Sequence, residues 1–144
     1  MKKELIETLI QIAKIKGAKY SLNVPILSLS DYNQLKGSVP RVDFVLYNQE
    51  GKVIACFEIT TNFSKGWTIS KNLRQRKFKL IEKLCYLVFK AYLLKPQIIV
   101  VILPLKTSTL SFWAKHLSNS LNVKILLITP IELQQYATTF DKVG

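Results

Sequence analysis

Two strand-like runs joined by a short polar turn constrain the fold of this chain more than any other feature of its sequence. Residues 41–47 and 52–60 are rich in β-branched and aromatic side chains, and the connection at residues 48–51 begins with Asn48 and ends with Gly51. Turn residues at both ends of a short connection between such runs are typical of a β-hairpin. The sequence therefore predicts two antiparallel strands whose side chains are mostly buried.

The segments around the hairpin show alternating helix and strand patterns. Residues 3–16 carry apolar side chains at helical spacing and are followed by Gly17, a residue that commonly ends a helix. Residues 18–29 include Pro25, which favours an edge strand or an irregular one. The remaining predictions are a helix over residues 69–94, a strand over 97–103, a helix over 107–121, a strand over 123–128 and a short helix from 130 to about 136.

The predicted elements follow the order α-β-β-β-α-β-α-β-α, which indicates an α/β fold with a mixed sheet flanked by helices. A length of 144 residues fits one domain spanning residues 1–144. The longest apolar runs are far shorter than the roughly 20 residues that cross a bilayer. We therefore expect no transmembrane helix, no membrane partner and a cytoplasmic location.

The charge of the chain favours a polyanionic partner. Lys and Arg together number 21 against 9 Asp and Glu, which gives a formal net charge of +12. Nucleic acid phosphates are a usual partner for such a surface; the alternatives are a generically basic protein, or docking on an acidic protein or membrane surface. Cys56 and Cys85 lack a CxxC spacing, and His116 is the only histidine, so zinc sites and two-histidine mechanisms are not indicated.

Two acidic residues lie inside the predicted hairpin strands, where a carboxylate needs a cation or a cage of hydrogen bonds. A symmetric turn would place Asp43 opposite Cys56 and Arg41 opposite Glu58. Asp43 and Glu58 would then share one sheet face as diagonal neighbours about 7 to 8 Å apart. Such a pair could hold Mg²⁺ or Mn²⁺. Alternatively, Arg41 could neutralise Glu58 without any metal.

The residues of the hairpin resemble a known family. Pro-Arg-Val-Asp at residues 40–43, followed after the turn by Phe-Glu-Ile-Thr at residues 57–60, is similar to the core motif of the PD-(D/E)xK nuclease superfamily, which includes restriction enzymes and archaeal Holliday-junction resolvases. The order of elements over roughly residues 1–128 also fits. The resemblance implies a restriction-endonuclease-like core and a Mg²⁺-dependent DNA endonuclease in which Asp43 and Glu58 bind the metal.

One position departs from the family pattern. The superfamily usually has a lysine two residues after the second acid, and this chain has Thr60 there. A neutral hydroxyl cannot supply the positive charge that stabilises charge developing in the transition state. The resemblance implies that the lysine has moved, with Lys65 and Lys71 as the nearest candidates, or that the site is weakened or inactive.

Basic residues outside the motif are candidates for contacts to DNA phosphates. Lys36 lies in the polar segment before the hairpin, and a stripe along the predicted helix over residues 69–94 shares one face; a solvated helix face is the alternative. Two functions therefore compete. The first is an endonuclease that acts on duplex or branched DNA, for which a homodimer is the expected assembly. The second is a catalytically degenerate nucleic-acid-binding module or nuclease partner subunit. The stripe contains Asn72, Arg76, Lys79, Lys83 and Lys90.

Overall fold

The structure is a computed structural model that describes residues 2–27, 39–60 and 73–143. Over these residues the chain follows the predicted order of helices and strands. No helix in these three ranges combines the length and apolarity that crossing a bilayer requires. The elements are α1 Lys2–Lys16, β1 Lys19–Pro25, β2 Arg41–Tyr47, β3 Val53–Ile59, α2 Leu73–Tyr92, β4 Ile98–Ile102, α3 Ser108–Leu121, β5 Lys124–Ile128 and α4 Pro130–Val143.

The five strands form one mixed sheet in the order β1-β2-β3-β4-β5. Strand β2 is antiparallel to both β1 and β3, whereas β3, β4 and β5 run parallel to one another. This confirms the α/β class and the prediction of antiparallel strands followed by a βαβ crossover. It also confirms that the run containing Pro25 forms an edge strand, the place where a missing N–H is tolerated.

Helices cover both faces of the sheet. Leu84 and Leu87 of α2 pack with α3 against one face, to which β3 contributes Cys56. Leu9 of α1 packs with α4 against the other face, to which β3 contributes Ala55. Successive side chains of a strand point to opposite faces. The middle strand is therefore covered on both sides, which explains its nearly continuous apolar sequence.

The helix ends follow the sequence signals in two cases and depart from prediction in a third. Gly17, with φ +66°, ends α1 as predicted. The Thr107 hydroxyl accepts a hydrogen bond from the Leu110 N–H at 3.2 Å and caps α3. The prediction that the last helix stops near residue 136 was wrong, because residues 131–143 contain neither Gly nor Pro to interrupt it.

The hairpin is formed as predicted, but its register differs. The Asn48 N–H donates to the Lys52 carbonyl at 2.9 Å, and Tyr47 is opposite Val53, whereas the next pair is Leu46 opposite Ala55. Ile54 is therefore an extra residue in β3, a β-bulge next to the turn. The predicted pairing of Asp43 with Cys56 was wrong, and Val45 takes that position.

Candidate functional site

The bulge decides which acidic residues meet. Beyond it, Phe44 is opposite Phe57, so continuing the register by one residue places Asp43 opposite Glu58. Without the extra residue Ile54, Asp43 would be opposite Phe57 and the two carboxylates would lie on opposite faces. The shared face predicted from the sequence is thus present, but the carboxylates are direct rather than diagonal neighbours.

Each carboxylate bonds to the backbone of the other strand. The Asp43 N–H donates to Glu58 Oε1 at 3.0 Å, and the Ile59 N–H donates to Asp43 Oδ2 at 2.8 Å. Glu58 is fully buried, while the Asp43 side chain is 14% exposed. These reciprocal bonds fix both carboxylates at the carboxyl end of β3, the end of a parallel sheet where α/β proteins commonly bind ligands.

Each carboxylate also lies against a lysine ammonium. Lys90 Nζ, from α2, is 2.7 Å from Glu58 Oε2, and Lys2 Nζ, from the start of α1, is 2.9 Å from Asp43 Oδ1. The Lys90 side chain is only 11% exposed and its ammonium lies 5.3 Å from the centre of the Tyr86 ring, whereas Lys2 is 52% exposed. The Lys90 pair is therefore a buried ion pair, while the Lys2 pair is open to solvent and contributes little stability.

The prediction that Arg41 is opposite Glu58 was wrong. Arg41 pairs with Pro25 of β1, and its guanidinium Nη1 donates to the Asn23 carbonyl at 2.9 Å. The cation that lies against Glu58 is Lys90, which is 32 positions further along the chain. Glu58 does form an internal ion pair, but with Lys90 and not with Arg41, the partner that the predicted register suggested.

Burial dominates the ionisation of Glu58. Removal from water raises the pKa of Glu58 to about 7, and the Lys90 ammonium and the Asp43 N–H partly oppose that shift by favouring the charged form. Burial, with a contribution from the negative charge of Glu58, raises the pKa of the Cys56 thiol to about 12. Cys56 is therefore a protonated, buried thiol and not a nucleophile, in line with its apolar sequence context.

Thr60, the residue at the usual lysine position, lies directly beyond the end of β3. Its N–H donates to the Ile102 carbonyl at 2.9 Å, and its side chain is 5% exposed. Within the part of the chain that the structure describes, the Thr60 hydroxyl oxygen has no hydrogen-bond partner. A buried hydroxyl without a partner is unfavourable.

The other predicted site residues divide into two groups. Lys36, Lys65, Lys71 and Asn72 lie outside the described residues. Of the helix stripe, Arg76, Lys79 and Lys83 lie in α2; Lys79 is exposed and Lys83 is half-buried. Lys90 was predicted as a further member of this stripe, but its side chain turns inward to Glu58.

The chemistry of the two carboxylates suits a hard divalent cation. One oxygen of each carboxylate accepts a backbone N–H, and the other, Asp43 Oδ1 or Glu58 Oε2, lies against a positive charge. Across residues 2–27, 39–60 and 73–143, no group of three or more His, Cys, Asp or Glu side chains is placed to hold a metal ion. Mg²⁺ commonly takes one or two carboxylates and completes its shell with water and phosphate oxygens. Asp43 and Glu58 fit that pattern of ligands.

No protein-family model, curated protein or solved structure matches this chain.

Proposed function

We propose that this chain is a cytoplasmic, metal-dependent DNA endonuclease in which Asp43 and Glu58 hold Mg²⁺ or Mn²⁺. The observation that carries the proposal is the meeting of these two carboxylates, in direct opposition, at the carboxyl end of the parallel strands. Buried carboxylates are costly, and sites that retain them are candidates for function. The net charge of +12 supports a phosphate-rich substrate.

The residues of the site divide the work of phosphodiester hydrolysis. When bound, a divalent ion supplies Lewis acidity and lowers the pKa of an attacking water. Asp43 and Glu58 would hold the ion through their outer oxygens, which lie against Lys2 and Lys90, since their other oxygens accept backbone N–H groups. Lys90 favours the ionised form of Glu58, which is the form that binds metal, and we propose that it stands in for the lysine absent at Thr60.

A second candidate is a nucleic-acid-binding module or nuclease partner subunit that has lost catalysis. The observation that favours it is that both carboxylates are already paired with ammonium groups, Asp43 with Lys2 and Glu58 with Lys90. In this alternative the lysines replace a metal ion as counter-charges. The endonuclease and the nucleic-acid-binding module both bind DNA, and only the endonuclease cleaves it.

DNA binding is expected to weaken steeply with salt, because phosphate contacts release counterions. Affinity for duplex DNA, measured by fluorescence anisotropy, should fall at least about tenfold between roughly 50 and 200 mM salt. Lys79→Glu on the exposed face of α2 should weaken binding and reduce the salt slope. Lys14→Glu on α1, which covers the other sheet face, makes the same charge change and should have a smaller effect. Binding that is insensitive to salt would argue against both the endonuclease and the nucleic-acid-binding module.

The lysine role is tested by replacing the candidate lysines with Met, one at a time. Lys90→Met should lower metal-dependent cleavage by about 10²-fold or more, because the charge next to Glu58 is lost. Lys65→Met and Lys71→Met test the two candidates from the sequence, and Lys115→Met on the exposed surface of α3 is the matched control. Circular dichroism establishes that each variant is folded at the assay temperature. If Lys90→Met keeps full activity and either Lys65→Met or Lys71→Met loses it, the role belongs to the lysine whose replacement abolishes cleavage.

A further inference from the structure

A cavity of about 570 Å³ lies on the sheet face covered by α1 and α4. Its floor includes Ala55 and Phe57 of β3, which alternate with Cys56 and Glu58 along the strand. Side chains alternate between the two faces of a sheet. The cavity is therefore on the opposite side of the sheet from the Glu58 carboxylate, and what it binds is independent of the proposed nuclease.

The lining of the cavity is mostly apolar. Val100 and Leu126 continue the floor across β4 and β5, and Leu126, which lines the cavity, is 39% exposed. Protein interiors are close-packed and leave few voids larger than a water molecule. A volume of this size lies within the range of pockets that take small molecules, roughly 300 to 1,000 Å³.

Polar groups on the rim favour a negatively charged ligand group. Lys16, at the last turn of α1, lines the cavity, and its Nζ is 3.4 Å from the Tyr136 hydroxyl of α4. Lys124 begins β5 two residues before Leu126, which puts it on the same sheet face, and it is exposed. The acidic residue of the lining, Glu132, forms an ion pair with Lys106 at 2.9 Å.

We propose that this cavity binds a single-chain anionic amphiphile, a carboxylate of the fatty-acid class, with its chain on the apolar floor and its head group beside Lys16 and the Tyr136 hydroxyl. The basic rim and the apolar floor together favour such a ligand. A neutral acyl chain would gain affinity only from burial of apolar surface, and a small anion only from attraction to the basic groups. The cavity lies between two helices and the sheet, so it can enclose one acyl chain, whereas a lipid bilayer would need an extended flat surface.

Isothermal titration with dodecanoate, below the concentration at which it forms micelles, tests the proposal. Wild-type protein should bind one dodecanoate, and each methylene removed from the ligand should weaken binding about three- to fourfold. Dodecanol and dodecyltrimethylammonium have the same chain and should bind at least about tenfold more weakly. Equal affinity for dodecanol, or no saturable binding of dodecanoate, would overturn the proposal.

Two variants locate the ligand. Lys16→Glu should weaken dodecanoate binding at least about tenfold, whereas Lys14→Glu, an equal charge change on the exposed surface of the same helix, should not. Ala55→Phe places a ring in the cavity and should abolish dodecanoate binding. If this variant does not fold, the comparison of Lys16→Glu with Lys14→Glu still tests the site. Equal effects of Lys16→Glu and Lys14→Glu would show attraction by net charge alone and would overturn the site.

Two other occupants are separate outcomes that would each overturn the proposal. Binding to vesicles of phosphatidylglycerol without any binding of monomeric dodecanoate would mean that the face contacts a lipid surface. A dimer in sedimentation equilibrium that Leu126→Arg dissociates would mean that a second copy of the chain covers the cavity.

Discussion

Asp43→Asn and Glu58→Gln are each expected to abolish metal-dependent DNA cleavage while leaving retention on duplex DNA nearly unchanged. Each substitution removes a ligand charge but keeps the size of the side chain, so ion binding is lost and the basic surface is spared. Loss of an outer-shell partner already costs about 10- to 100-fold in metal-site activity, so loss of a ligand should cost more than about 10²-fold. Cleavage of labelled linear, nicked and four-way-junction DNA with Mg²⁺ or Mn²⁺ measures the effect.

A third substitution controls for the change in net charge. Glu50 is exposed in the hairpin turn, so Glu50→Gln makes the same charge change as Glu58→Gln outside the site and should cut DNA like the wild type. If wild-type protein leaves all three DNA forms intact with either metal, the enzyme proposal fails and the binding module is preferred. Equal losses of cleavage and DNA retention in the Asp43 and Glu58 variants would instead mean that the carboxylates support the fold.

The fold was largely predictable because its signals are local. Apolar spacing, the stop at Gly17 and the turn at residues 48–51 each act within a few residues, and together they predicted every element in order. The register was not predictable from such signals. It depends on whether Ile54 bulges, which is decided by packing of both strands against helices on two faces.

The candidate site was predictable in its carboxylates but not in its cation. Asp43 and Glu58 stand out as acidic residues inside apolar strands, a pattern that depends on neighbouring residues only. Lys90 lies in a different element, and on sequence spacing alone it belongs to a row of basic residues that can face solvent. One signal was present: Leu87 and Ala91 flank it on the buried face of α2. A lysine at such a border can turn inward when a buried carboxylate lies opposite.

Lys90→Met is expected to destabilise the protein more at pH 8 than at pH 5. At pH 8 wild-type Glu58 is mostly ionised and paired with Lys90, whereas loss of Lys90 raises the pKa of Glu58 further, so that the variant keeps a proton that the wild type has released. By linkage this makes the loss in the free energy of unfolding about 1.4 kcal/mol larger at pH 8 than at pH 5. At pH 5 Glu58, whose pKa is about 7, is protonated in the folded state, so little charge is left unpaired. Urea unfolding of wild type and variant at the two pH values measures the difference.

The free energy of unfolding of the wild type should also depend on pH through Glu58, and the direction of this dependence follows from the raised pKa. Between the ordinary carboxyl value of 4.5 and about 7, folded Glu58 keeps a proton that the unfolded chain releases. The free energy of unfolding therefore falls as pH rises through this window, by about 3 kcal/mol for this group. Glu58→Gln should remove that part of the slope, and the double variant Lys90→Met/Glu58→Gln should be less destabilised at pH 8 than Lys90→Met alone. Lys79→Met, at an exposed position of the same helix, should change the free energy of unfolding by no more than about 0.5 kcal/mol at either pH. An equal loss in Lys90→Met at pH 5 and pH 8 would mean that the lysine stabilises α2 through packing of its alkyl chain, and that its charge does not act on Glu58.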